Sequence, residues 1–184
     1  LNLDEKKHAP RAMLSLVSSA KHELVSPAEY ARLNRTYLDE IVARCYERYQ
    51  QLLRQSNALD FDDLLVEMVH LFDQHPAVLA HYQRRYAYLL VDEYQDTNRA
   101  QYMLVKHLAA QRHNLFAVGD NDQSIYGWRG ADIRNILQFE QDYPDAQVIL
   151  LEQNYRSTQA ILDTAQAVLA GGGRVVTSIG YPFA

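Results

Sequence analysis

The chain of 184 residues is long enough to bury one hydrophobic core, or one domain and part of another. Its composition, 48% hydrophobic and 22% charged residues, is typical of a globular protein. The net charge of −5 argues against a protein that binds polyanions through its overall charge. The single cysteine, Cys45, excludes an internal disulfide framework and is typical of a reducing compartment, so we expect a cytoplasmic location. No apolar run of membrane-spanning length occurs, and the seven histidines show no metal-ligand spacing.

The first part of the chain is predicted to be helical. Residues 11–22 form a short predicted helix. Ser26 as N-cap and Pro27 in the first turn begin a long one, which should continue to a break at residues 56–57. Its apolar side chains recur every three or four positions, which indicates a packing stripe rather than a ligand site. The stripe consists of Tyr30, Leu33, Tyr37, Ile41, Cys45, Tyr49 and Leu52.

Two further helices are expected over residues 61–73 and 76–85. Asp60, Asp62 and Asp63 stand at the start of the first of them. Three clustered carboxylates could suggest a metal site. Negative charge at a helix N-terminus is favourable in its own right, however, and we interpret these residues as part of the helix start.

The most informative segment is an apolar strand followed by two acidic residues. Residues 89–91 are Leu-Leu-Val, and Asp92 and Glu93 follow directly. In open α/β sheets, ligands bind at the carboxyl ends of the strands. One carboxylate there can hold Mg²⁺ while another polarises a water for attack on phosphorus. An apolar strand followed by Asp-Glu is only moderately specific taken alone, because such a pair can simply be solvated.

Two more apolar strands follow, each with a polar segment behind it. A helix over residues 98–111 leads to a strand over 115–118, which runs into the glycine-bounded loop 119–130. A third strand, over residues 148–151, is followed by Glu-Gln-Asn-Tyr-Arg-Ser.

These segments resemble four motifs of the UvrD/PcrA/Rep family of superfamily 1 DNA helicases. Residues 92–98 are similar to motif II, 119–130 to motif III and 154–157 to motif IV, and residues 59–65 are similar to another recurring segment. The resemblance covers about residues 1–168. It implies an α/β fold, part of a RecA-like P-loop NTPase domain with parallel strands, preceded by a mostly helical segment.

The same resemblance predicts where the domains divide. Residues 1–58 would be part of the helical insertion 1B, and residues 59–152 the portion of the first RecA-like domain, 1A, that carries motifs II and III. Residues 153–170 would begin the second RecA-like domain, 2A. Residues 171–184, which follow a run of three glycines, depart from the family pattern, and no function is assigned to them.

The resemblance also implies a role for each nucleotide-site residue. Asp92, together with Glu93, would coordinate Mg²⁺, and Glu93 would position the hydrolytic water. Gln123 would sense the γ-phosphate of ATP. Tyr155 would lie against the adenine ring, and Arg156 would act as an arginine finger on the γ-phosphate. For each of them a purely structural role is the alternative: a solvated strand end, a turn-stabilising amide or an ion pair.

DNA contacts are predicted in the motif III loop. Tyr126 and Trp128 flank a glycine, and exposed aromatic rings can stack on the bases of a single strand. Arg129 could add a phosphate contact. The alternative is that Trp128 fills a hydrophobic pocket between domains.

A phosphate-binding loop of the form G-x-x-x-x-G-K-[ST] is absent from this sequence. None of the four lysines follows a glycine, and all seven glycines lie at or after position 119. We therefore expect a fragment of a 3′-to-5′ ATP-dependent DNA helicase that is inactive alone. Its partners would be ATP, Mg²⁺, single-stranded DNA and the rest of the parent enzyme, with no membrane. Two alternatives stay open: a non-catalytic module that binds single-stranded DNA or protein, and a metal-dependent nuclease using Asp92, Glu93 and Asp96.

Overall fold

A computed structural model describes residues 3–4, 6–33, 36–127, 130–172 and 178–180. The helices are α1 Pro10–His22, α2 Pro27–Leu33, α3 Tyr37–Gln55, α4 Phe61–Gln74, α5 Pro76–Arg85, α6 Arg99–Ala109, α7 Arg134–Leu137, α8 Phe139–Asp142 and α9 Gln159–Gly172. The strands are β1 Leu89–Val91, β2 Leu115–Gly119, β3 Ile149–Leu151 and β4 Ser178–Gly180. Two compact units result: a helical unit, residues 1–79 and 98–107, and a sheet unit, residues 80–97 and 108–184. Across the described ranges, none of the helices combines the length and apolarity that a bilayer crossing requires.

The helical unit has its core between α1 and α3. The buried side chains of Val17 and Ala20 on α1 pack with those of Val42 and Tyr46 on α3. The Tyr46 hydroxyl donates a hydrogen bond of 3.1 Å to the carbonyl oxygen of Val25, so this polar group is satisfied within the core.

The predicted long helix is wrong: it is two helices, α2 and α3. Ser26 does cap the start of α2, since its Oγ accepts from the backbone N–H of Glu29 at 3.3 Å, as predicted. A second cap then begins α3. The side chain of Thr36 accepts from the backbone N–H of Asp39, and the Asp39 side chain accepts from the backbone of Thr36. This capping box holds residue 36 in an extended conformation, which a continuous helix would not allow.

The three aspartates near position 60 belong to the start of α4, as expected. Asp60 and Asp63 form a reciprocal capping box. Both also bind the buried ammonium of Lys21, with Nζ 2.6 Å from Asp60 Oδ2 and 2.7 Å from Asp63 Oδ1. Asp62 instead lies 3.0 Å from Nε2 of His22. We name Lys21, Asp60 and Asp63 the Lys21 cluster; it ties α1 to the first turn of α4.

The sheet unit confirms the predicted α/β architecture. The strand order is β1-β2-β4-β3. β1 pairs with β2 in parallel, with Val91 opposite Ala117. β4 is antiparallel to both β2 and β3, so β1, β2 and β3 all run in the same direction. β4 was not predicted, because it comes from the tail that lacks a family pattern.

The strands differ in how deeply they are buried. β2 is central, and Leu115 and Ala117 are almost fully buried. On β1, the apolar side chain of Leu90 is 69% exposed. Parallel strands are normally covered on both faces. Within the described chain, Leu90 lies on a face of β1 that remains open to solvent.

Candidate active site

Two acidic segments meet at the carboxyl edge of the sheet. Because β1 and β2 are parallel and in register, the residues that follow them emerge at the same edge. Asp92 follows the last residue of β1, and Asp120 follows the last residue of β2. The parallel pairing thereby brings the segments similar to motif II and motif III together.

Asp92 and Glu93 form the exposed part of this edge. The backbone N–H of Glu93 donates to Oδ1 of Asp92 at 2.9 Å. Glu93 itself has φ 50° and ψ 45°, the left-handed conformation that residues other than glycine adopt uncommonly. Such strain persists only where surrounding structure fixes it, and it clusters at functional sites.

The turn after Glu93 is held in place by packing and hydrogen bonds, and it fixes the backbone of Glu93. Tyr94 is 1% exposed, and its ring meets the ring of Phe139 edge-on at 5.3 Å. At the other end of the turn, the carbonyl oxygen of Thr97 accepts from Nδ2 of Asn135 at 2.9 Å. The turn is anchored at both ends. Residues 94–96 form a 3₁₀ turn that precedes the predicted helix. Asn98 caps that helix, α6, by accepting from the N–H of Gln101.

Gln95 joins the two motifs. Its side chain is fully buried. Nε2 donates to Oε2 of Glu93 at 2.7 Å, and Oε1 accepts from the backbone N–H of Asp120 at 3.1 Å. Gly119 makes room for this side chain, because a Cβ at that position would lie 2.7 Å from Gln95 Oε1.

The motif III loop continues the network. Asp120 Oδ2 accepts from Nε2 of Gln123 at 2.8 Å, and Oδ1 accepts from the backbone N–H of Asp122 at 3.0 Å. Gln123 lies in a 3₁₀ turn and is exposed. One chain of hydrogen bonds therefore connects the Glu93 carboxylate to the Gln123 amide through Gln95 and Asp120.

The charges at this edge fit a magnesium ion carried in with a nucleotide. Burial raises the pKa of the Asp96 carboxyl, and the nearby Glu93 charge raises it further. Asp96 Oδ1 is buried without a hydrogen-bond partner. In the described parts of the chain, no three His, Cys, Asp or Glu side chains are arranged to hold a metal by themselves. Mg²⁺ typically binds through one or two carboxylates plus phosphate oxygens and waters, and exposed Asp92 and Glu93 suit that role.

The remaining predicted residues are only partly placed. Tyr126 is 38% exposed, while Trp128 and Arg129 lie outside the described residues. Asn154 Oδ1 accepts from the backbone N–H of Arg156, and this turn leaves Arg156 and Tyr155 exposed. Among the described residues, no hydrogen bond or ion pair connects Tyr155 or Arg156 to the Asp92–Gln123 network.

Sequence reasoning missed the joining residues. Asp120 and Gly119 were noted only as members of a loop, and Gln95 only as part of the segment similar to motif II. One signal was present: a glycine closes an otherwise apolar strand directly before an aspartate. A glycine in a strand can mark a close approach by another group, here the Gln95 side chain.

The fold and this edge together define a class, an α/β domain with acidic residues at the carboxyl ends of two parallel strands. The family model described as UvrD/REP helicase N-terminal domain matches residues 1–144. The chain belongs to this family. That membership confirms the resemblance read from the motifs.

Curated relatives agree. The chain is 58% identical over 168 residues to the ATP-dependent DNA helicase PcrA of Bacillus subtilis (strain 168). It is 53% identical over 168 residues to PcrA of Staphylococcus aureus (strain Mu50) and 53% identical over 169 residues to PcrA of Leuconostoc citreum. The alignments cover 91%, 91% and 92% of this chain, respectively, and 23% of each relative. The chain thus spans about a quarter of the length of these relatives.

Proposed function

We propose that this chain supplies the motif II and motif III side of the ATP site in a larger ATP-dependent DNA helicase. The observation that carries the proposal is the hydrogen-bonded connection from Glu93 to Gln123 at the carboxyl edge of the sheet. The naming of the relatives as ATP-dependent DNA helicases supports the same conclusion.

In this proposal the two exposed carboxylates have separate tasks. Asp92, with Glu93, would hold the Mg²⁺ of Mg-ATP, which when bound neutralises charge on the phosphates. Glu93 accepts a proton from the attacking water, for which an ionised, accessible carboxylate is suitable. The left-handed backbone conformation of Glu93 sets the direction in which its side chain leaves the main chain.

Three further residues complete the nucleotide site. Gln123 contacts the γ-phosphate with an uncharged amide, which can donate without competing as a base. Tyr155 lies against adenine, and Arg156 stabilises the charge that develops on the γ-phosphate during transfer. The exposure of Tyr155 and Arg156 leaves both side chains accessible for these contacts.

Single-stranded DNA would contact the loop that carries Gln123. Tyr126 and Trp128 stack on bases, and Arg129 contacts a phosphate. Because Tyr126 and Gln123 lie in one short loop, a change in the stacking of DNA bases on Tyr126 would also shift Gln123 in the nucleotide site. The 3′-to-5′ polarity rests on the family resemblance alone, and the cytoplasmic location stays a prediction.

Glu93→Gln in the full-length parent tests the assignment. It keeps the size of the side chain but removes the base, so hydrolysis should be lost while nucleotide binding persists. Glu140→Gln, an exposed site on α8, is the matched control and should retain full activity. ATPase turnover that survives Glu93→Gln would contradict the proposed function.

For the 184-residue chain alone, a non-catalytic binding module is the second candidate. The observation that favours it is the lack of a G-x-x-x-x-G-K sequence within these residues. We expect no ATPase above background from this chain, with or without single-stranded DNA. Mg²⁺-dependent turnover that Glu93→Gln abolishes would show instead that the chain is a complete ATPase.

A further inference from the structure

We infer that Gln95 is a positioning residue that orients the Glu93 carboxylate and makes its orientation depend on the motif III loop. The inference rests on the proposed function, in which Glu93 is the base. It assigns to Gln95 a role in ATP turnover and in its stimulation by DNA.

The side-chain amide of Gln95 is fully engaged. Its NH₂ group donates to Glu93 Oε2 at 2.7 Å, with a longer contact of 3.4 Å to Asp96 Oδ2. Its carbonyl oxygen accepts from the backbone N–H of Asp120 at 3.1 Å. A hydrogen bond to a charged acceptor is among the stronger ones in proteins, and burial strengthens it. The amide therefore restrains the Glu93 carboxylate.

The surroundings hold Gln95 in one position. Gly119 leaves no spare room, since even a methyl group there would meet Gln95 Oε1 at 2.7 Å. The main chain of Gln95 is tied to the same loop, because Ser124 Oγ donates to its carbonyl oxygen at 3.4 Å. When the backbone at Asp120 moves, Gln95 must either follow or lose its acceptor contact.

This arrangement has a direct chemical consequence. Glu93 has two carboxylate oxygens, and Gln95 occupies Oε2, which leaves Oε1 for the attacking water. Asp120 also holds Gln123 at 2.8 Å, so Gln95 and Asp120 together connect the residue that would sense the γ-phosphate to the carboxylate that would activate water. If nucleobases stacking on the motif III loop rearrange it, the Glu93 carboxylate would therefore change position.

A simpler role is that Gln95 only satisfies the buried N–H of Asp120. One substitution separates the two roles. Gln95→Glu keeps the side-chain length and an oxygen that can accept from Asp120, but an ionised carboxylate cannot donate to Glu93. It also places a second negative charge beside Glu93. Burying this charge costs stability in either role, so a purely structural role would lower the thermal midpoint alone, whereas a positioning role would also lower kcat.

The experiment uses the full-length parent helicase with Gln95→Ala, Gln95→Glu and Glu93→Gln. Asn114→Ala is the control: it removes the hydrogen bond from Asn114 Nδ2 to the carbonyl oxygen of Ala87, at the start of β1 and β2, without touching Glu93, Gln95 or Asp120. For each variant, kcat and KM for ATP are measured with and without single-stranded oligonucleotide. The thermal midpoint and the Kd of a non-hydrolysable ATP analogue are measured as well.

Both Gln95 variants should lower kcat by about 10²-fold, the loss expected when a reacting group is misplaced by about 1 Å. KM and the Kd of the analogue should change little, because Gln95 does not touch ATP. The ratio of kcat with oligonucleotide to kcat without it should fall towards one in both variants. Asn114→Ala should lower the thermal midpoint and leave kcat and the stimulation near the wild-type values.

Two results would overturn the inference while leaving the proposed function intact. One is an inactive Glu93→Gln beside a Gln95→Glu with normal kcat and normal stimulation. The other is an Asn114→Ala whose kcat falls as far as that of Gln95→Ala, because a general loss of stability in the sheet unit would then explain both losses. An active Glu93→Gln would instead remove the proposed function itself.

Discussion

Gly119 passes so close to Gln95 that a Cβ atom at position 119 would lie 2.7 Å from Oε1 of the glutamine. The same Cβ would lie 2.8 Å from Cδ1 of Ile136. We expect Gly119→Ala to destabilise the chain by about 1–3 kcal/mol, since overpacking forces neighbours out of their preferred rotamers. The free energy of unfolding from denaturant titration is the measurement.

Gly127→Ala is the control for that substitution. Among the residues that the structure describes, a Cβ at position 127 would have no neighbour within 4 Å, so the free energy of unfolding should stay within about 0.5 kcal/mol of the wild type. Equal stability of the two variants would show that the Gly119 backbone can move away from Gln95.

The Lys21 cluster should dominate the stability of the helical unit. Lys21 is 1% exposed, and Lys21→Met would leave the Asp60 and Asp63 carboxylates without their cation. Breaking a buried ion pair from one side typically costs about 3–5 kcal/mol. Lys7→Met, at an exposed site, should change little. Calorimetric unfolding of both variants tests the difference, and similar midpoints would contradict it.

Asp60 makes part of this stability depend on pH. Burial alone would raise the pKa of Asp60, but hydrogen bonds from Lys21 and from the backbone of Asp63 outweigh it and hold that pKa below its usual value. A lowered folded-state pKa stabilises the fold above the unfolded-state pKa, near 3.9, and this contribution is lost as the pH falls through the folded-state value. The unfolding free energy should therefore drop below about pH 4. In Lys21→Met that drop should be smaller.

The sequence predicted the position of the Asp92–Glu93 edge well, but it predicted the packing contacts poorly. Asp92 and Glu93 could be placed because the residues that follow a parallel strand must emerge at the sheet edge. The break before α3 was predictable too, since Thr36 and Asp39 have capping-box spacing, but the apolar stripe suggested a single helix. Partners far apart in the chain, such as Lys21 and Asp60, leave no local pattern. Gln95 shows the same limit, because its role depends on Asp120, which only strand pairing brings close.

Arg156 should matter for catalysis rather than for binding. An arginine finger acts mainly in the transition state, so Arg156→Ala in the parent should lower kcat by at least about 10³-fold with little change in ATP affinity. Arg156→Lys should recover little, because an ammonium cannot reproduce the planar fork of the guanidinium. Steady-state kinetics with nucleotide binding by fluorescence would measure both. A near-normal kcat for Arg156→Ala would make the residue structural.

If Tyr126 and Trp128 stack on DNA bases, removing either ring should weaken the binding of single-stranded DNA. Tyr126→Ala and Trp128→Ala in the parent should each weaken single-strand binding by about 1–3 kcal/mol, while ATPase without DNA persists. Tyr86→Ala, an exposed tyrosine outside the loop, is the control and should bind normally. Fluorescence anisotropy with a labelled oligonucleotide measures the affinity. Unchanged affinity with a lower thermal midpoint would favour a buried, structural Trp128.

The burial of Lys21 also gives the chain an internal reporter of opening. An amine-reactive reagent needs an accessible, uncharged amine. Lys21 Nζ is instead enclosed between two carboxylates. Lys6 and Lys7, which are exposed, should be acylated at once. Lys21 can react only during excursions that separate α1 from α4, so its labelling rate, read by peptide mass spectrometry, follows the free energy of that local opening.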